Sequence, residues 1–232
     1  MRIVIGSLAF LFAFGAQIAQ AALITFEGGL AQQAAWRSSV GSFVLEDFQS
    51  FSVNAPISSL PSLGLTFDPL AGGGPPGIYQ HSVNDTPFGA NQLANFPGNC
   101  CITTAYQFND LVAQVDPGVN LFGLAFWNGD PQGNSLLRIY DRSGVLIGTV
   151  TALINTGNAT TLSNSFAGFT STVPIGRLEW EGNAGDGWNH YDGLQATFGG
   201  PNPTGVPEPS TLALVVTGLL GLGLFRRRKA TA

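Results

Sequence analysis

Past residue 101 the chain settles into short apolar stretches, each closed by Gly, Pro, Asn or Asp. Ile102–Phe108, Leu121–Asn128, Leu136–Asp141, Val145–Thr151, Ile175–Glu181 and Tyr191–Phe198 read as strands. Gly129-Asp130-Pro131 and Asp141-Arg142-Ser143-Gly144 supply turns between them. Arg177-Leu178-Glu179-Trp180-Glu181 alternates cleanly, which turns Leu178 and Trp180 inward and the charges to water. Leu121–Trp127 is apolar on both alternating faces, as expected of a strand buried between layers.

The pattern is weaker upstream. Residues 22–28 read as a short strand, and Phe43 to Phe51 and Leu63 to Phe67 as extended segments. Leu30 to Val40 is Ala-rich, with Ala31, Ala35 and Trp36 near one face, and is the one helix expected outside the chain ends. Residues 71–77, Ala-Gly-Gly-Gly-Pro-Pro-Gly, form a loop, and 78–100 fit no regular element. Short strands, turn residues and no repeating helix predict a mainly β domain over 22–198. The expected fold is an antiparallel β-sandwich or jelly roll with one short N-terminal helix.

Both ends carry a different signature. Arg2, the apolar run Ile3 to Phe14, and the small residues of Ala19-Gln20-Ala21 have the three-part build of a secretory signal. Cleavage by signal peptidase is expected before Ala22. At the other end a Pro/Gly/Asn linker over 199–206 leads to Pro207-Glu208-Pro209-Ser210-Thr211. An apolar stretch, Leu212 to Phe225, and the basic cluster Arg226-Arg227-Arg228-Lys229 follow. A spanning helix needs about 20 apolar residues, and this stretch is shorter. The basic cluster would hold its end on the cytoplasmic side of the inner membrane.

The order and spacing of those terminal pieces, over residues 207–232, resemble the PEP-CTERM sorting signal of Gram-negative bacteria. The resemblance implies processing by a membrane enzyme, exosortase, after transient anchoring in the inner membrane. It also implies delivery to the cell surface or to extracellular polymer. The layout upstream, with Glu46-Asp47-Phe48 early and Tyr191-Asp192-Gly193-Leu194 late, resembles domains found ahead of such tails. It points to a jelly-roll sandwich of the kind carbohydrate-binding modules use.

Composition narrows the partners. Between residues 22 and 206 there are four Arg, no Lys and thirteen Asp or Glu, a net charge of -9. Such a surface repels phosphate backbones, so no nucleic-acid partner is expected. The two cysteines, Cys100 and Cys101, are adjacent, which leaves a strained vicinal disulfide, intermolecular pairing or free thiols.

Catalytic patterns are sparse. There is no Gly-x-Ser-x-Gly elbow, and His81 and His190 are the only histidines, far apart in sequence. Glu179 and Glu181 share a strand face with Cα atoms about 6.5–7 Å apart. Paired carboxylates cleave glycosidic bonds, so a secreted glycan hydrolase is the alternative to a non-enzymatic module. A purely structural matrix protein is a third. The one cofactor candidate is a structural calcium, for which Glu181, Asn183, Asp186 and Asp192 supply hard oxygen ligands around a Gly-rich loop. Trp188 and Tyr191 flank that loop and are the candidate rings for stacking on a sugar. The expectation is thus a non-enzymatic sandwich that binds or packs into extracellular polysaccharide.

Overall fold

A computed structural model describes residues 22–70, 75–80, 87–95, 110–129, 133–153, 165–181 and 190–199. The leader, the sorting tail, Cys100, Cys101, Trp188 and the expected strand Ile102–Phe108 lie outside these residues.

The chain opens with β1 (Leu23–Gly28) and the helix α1 (Leu30–Val40), whose bounds match the sequence reading. The helix ends at Gly41, in a positive-φ conformation. Next come β2 (Val44–Glu46), β3 (Ser59–Leu60), a 3₁₀ turn at Pro61–Leu63, β4 (Leu65–Phe67), β5 (Gly77–Gln80) and β6 (Asn91–Ala94). The strong strands follow: β7 (Leu111–Val115), β8 (Leu121–Asn128), β9 (Ser135–Asp141), β10 (Leu146–Ala152), β11 (Phe166–Glu181) and β12 (His190–Thr197). The extended run expected over Phe43–Phe51 shortens to β2. Phe48 takes φ 61, and its N–H and that of Gln49 bond back to the Glu46 and Asp47 carboxylates, which turns the chain.

All the paired strands are antiparallel, and one strand joins two layers. The first half of β11 runs between β1 and β8, with Phe166 opposite Trp127 and Gly28. Its second half runs between β7 and β9, with Trp180 opposite Leu111 and Leu137. The crossing follows Pro174, where the register slips between Ile175 and Arg177. Gly176 is needed there, because a Cβ would sit 2.6 Å from the Asp141 carbonyl oxygen. One layer therefore holds β1, β11, β8, β12, β6 and β5, with β2 also on β12; the other holds β10, β9, β11, β7, β4 and β3.

Apolar side chains of the two layers meet in one core. Phe126 and Tyr191 from one side pack against Trp180 from the other, with ring centroids 5.5–6.0 Å apart. Burying rings of this size contributes the larger part of the driving force. A smaller cluster lies on the outer side of the first layer, where Trp36 and Val40 of α1 cover Ala125, Trp127 and Phe166. The helix is also pinned by polar contacts: the Trp36 indole N–H donates to the Phe169 carbonyl, and Arg37 Nε donates to Gln195 Oε1. Burial of Arg37 lowers its pKa.

Candidate functional site

Alternation along β9 and β11 decides which side chains look outward from the second layer. Leu137, Ile139, Leu178 and Trp180 are fully buried, so Arg138, Tyr140, Arg177, Glu179 and Glu181 face the other way. Among the described residues no helix packs on this face. Register brings the groups together: Glu179 is directly opposite Arg138 on β9 and Val112 on β7.

Glu179 is the hub. Its Oε2 accepts from the Tyr140 hydroxyl at 3.1 Å and from Arg177 at 2.7 Å, while Oε1 faces Arg138 at 3.5 Å. Arg138 also bridges to Glu181 Oε2. The Arg177 guanidinium lies 4.7 Å from the centre of the Tyr140 ring, a cation–π contact. Asp110, just before β7, is raised above the usual carboxylate range, first by burial and then by the Glu179 carboxylate to which it hydrogen-bonds. The row continues across β7 and β4, where Gln114 donates to Asp68 and Thr66 to Asp116.

These pairings limit the chemistry. Glycoside cleavage needs one carboxylate free to attack or to activate water and a second to deliver a proton. Both oxygens of Glu179 already face cations or a hydroxyl, and Arg138 holds an oxygen of Glu181. The arrangement suits binding better: planar donors and acceptors are fixed in advance, so little side-chain freedom is lost when a hydroxyl-rich chain lies across them.

The other expected site residues divide. Tyr191 corrects the sequence reading: its ring is fully buried against Phe126 and Trp180, and its hydroxyl accepts from Ser135 Oγ at 2.9 Å. It fills the core and presents no face to a sugar. Tyr191 shares the core with Leu194 and Ala196 because the register of β12 slips between Asp192 and Gln195, which restores the inward phase beyond the bulge. Of the calcium set, Glu181 is engaged by Arg138, and Asp192 is fully buried with Oδ1 accepting from the Gly193 N–H at 2.6 Å. Asn183 and Asp186 lie outside the described residues, as do Trp188, the leader site Ala19, Ala21 and the sorting residues. Among the described residues no three His, Cys, Asp or Glu side chains gather to hold a metal.

Asp110, Arg138, Tyr140 and Arg177 were not singled out from sequence as site residues. The signal for Arg138 and Tyr140 was present, since they alternate with Leu137 and Ile139 as the glutamates alternate with Leu178 and Trp180.

Fold and face together define an antiparallel β-sandwich with one layer capped by a helix and the other presenting a prepaired polar face. Residues 205–229 match the family model for the PEP-CTERM protein-sorting motif. The chain thus carries the sorting signal of an exported, exosortase-processed protein, with the membrane-anchoring element at its C-terminus. No curated protein matches the chain. Among solved structures it is similar to a mutant of the carbohydrate-binding module CBM29-2, from a study of ligand recognition by family 29 modules. That likeness has a TM-score of 0.36 and 12% identity over 72% of this chain and 99% of the other. It is also similar to TmCBM61 in complex with β-1,4-galactotriose, with a TM-score of 0.27 and 9% identity over 69% of this chain and 91% of the other.

Proposed function

We propose that the protein is a surface or matrix component of a Gram-negative bacterium whose β-sandwich holds extracellular polysaccharide without cleaving it. The sorting motif supports the location. The observation that carries the molecular reading is the outward row of Arg138, Tyr140, Arg177 and Glu179, uncovered by any described helix and locked by its own hydrogen bonds. Affinity electrophoresis through gels containing defined polysaccharides tests it. Retardation by at least one polymer, lost in Tyr140→Ala with the fold intact, is the expected result. Unchanged mobility in every gel removes the binding reading and leaves a structural matrix protein.

Hydrolysis by Glu179 and Glu181 is the competing reading, and one observation favours it: Asp110 beside Glu179 is a carboxyl biased towards its protonated form. Release of reducing ends from a bound polysaccharide, abolished in Glu179→Gln, would establish it.

A further inference from the structure

The end of the sandwich from which the chain leaves for its tail carries three exposed apolar side chains, Val145, Leu146 and Phe198. Thr197 pairs with Gly123 at the last rung of β12, and Phe198, 36% exposed, follows. Beside it lies an open depression of about 420 Å³ lined by Pro61, Ser62, Gly64, Val119, Asn120 and Phe198, with Gly118. The β9–β10 turn belongs to the same end. Arg142 from that turn donates to the carbonyls of Pro117 and Val119 and so ties the two turns together. Immediately after it stand Val145, 58% exposed, and Leu146, 49% exposed.

We infer that this exit end is an interfacial surface that seats on the lipid bilayer while the sorting tail is held there. The inference rests on the sorting reading of residues 207–232. Residues 199–211 separate Phe198 from the apolar stretch that begins at Leu212. That linker reaches at most about 45 Å when fully extended and about 20 Å as a flexible coil. A short tether of this kind sets an effective concentration in the millimolar range, so a contact too weak to act in free solution is populated.

The chemistry of the end fits a bilayer surface better than a peptide. The depression is open, with Phe198 exposed at its edge, and Val145 and Leu146 are exposed beside the turn that Arg142 ties to it. The nearby carboxylates are satisfied internally: Asp141 accepts from the Ser143 hydroxyl and from the Val145 N–H, and Asp116 accepts from Thr66. Arg142 is spent on backbone carbonyls. The end therefore offers exposed apolar side chains beside polar groups whose hydrogen bonds are made within the protein.

The test uses the full-length protein, exported in a bacterium lacking the sorting enzyme so that the tail is retained, and reconstituted into vesicles of phosphatidylethanolamine and phosphatidylglycerol. Amide hydrogen exchange is compared between vesicles and detergent, at low and high protein density. The expected result is exchange slowed at least threefold over 117–120, 142–146 and 198–199 in vesicles at both densities. Val145→Ser with Phe198→Ser is expected to abolish that protection while β8 and β11 stay as protected as before. Equal exchange in vesicles and detergent overturns the inference but leaves the sorting reading intact. So does protection that grows with protein density, which would assign the surface to a second copy. Failure of the protein to float with the vesicles overturns both.

Discussion

The indole N–H of Trp36 donates to the carbonyl of Phe169 at 2.9 Å, joining the helix α1 to a strand 133 residues further along the chain. The bond is buried, and the Trp36 ring is fully enclosed beside Phe43, edge to face at 5.9 Å. Position 169 lies in the half of β11 that belongs to the first layer, so the helix stabilises that layer's outer side. Trp36→Phe keeps most of the ring and removes the donor, and is expected to cost about 1–3 kcal/mol. Trp36→Ala adds a cavity and is expected to cost about 3–5 kcal/mol. Urea denaturation of the two variants measures both steps.

Arg138 bridges Glu179 and Glu181 and offsets one of their two charges. Its side chain is 29% exposed, so the pairs are screened and their worth to folding is small. Arg138→Ala is therefore expected to lower stability by no more than about 1 kcal/mol while abolishing retardation in a polysaccharide gel. A large loss of stability with unchanged binding would show that the row is structural.

Asp110 has its folded-state pKa raised, by burial first and by Glu179 second. The folded protein therefore takes up this proton more readily than the unfolded chain. Asp110 costs nothing below the ordinary Asp range. The cost develops as pH rises towards the raised value and is complete above it. Asp110→Asn removes the charge and retains a donor for Glu179. It is expected to raise the melting temperature at neutral pH, by an amount worth no more than about 1 kcal/mol at this partly exposed position. The gain is expected to vanish below the ordinary Asp pKa. Thermal melts across pH follow it directly.

Gly64 closes the 3₁₀ turn with φ 62, and a Cβ there would lie 2.6 Å from a methyl of Val119. Gly64→Ala is expected to combine left-handed strain of about 1–2 kcal/mol with overpacking of about 1–3 kcal/mol. Val119→Ala in the same chain is expected to return the overpacking part and not the strain, which a double-mutant cycle separates.

Much of this fold was legible in the alternation of the sequence. β8 is apolar throughout because it lies between β11 and β12 with the core on one side and Trp36 on the other, and its bounds were readable for that reason. The helix was readable because Gly41 stops it. The first half of β11 was not readable: Phe166-Ala-Gly-Phe-Thr-Ser-Thr-Val-Pro mixes small, polar and aromatic residues, and Pro174 argues against a strand. It forms because the strand changes layers there, so no single face rule applies along its length. β5 and β6 were hidden because short strands among Gly, Pro and Asn owe their pairing to neighbours far away, as Tyr191 and His190 pair with Leu93 and Ala94.

For the candidate site, one half was visible and the other was not. Glu179 and Glu181 are marked by their strand pattern. Their partners come from β9 and from the start of β7, and register across strands is not written in any local window. Tyr191 shows the opposite error, since a polar neighbourhood in sequence does not report which way a strand residue points.

The most direct test of the account is intact-mass spectrometry of the protein recovered from the cell-surface polymer of its native cells, before and after the polysaccharide is digested. The account predicts a chain that begins at Ala22, lacks the apolar tail from Leu212 onward, and is released when the polymer is digested. A chain running intact through Ala232, recovered with the inner membrane and indifferent to digestion of the polymer, would contradict it.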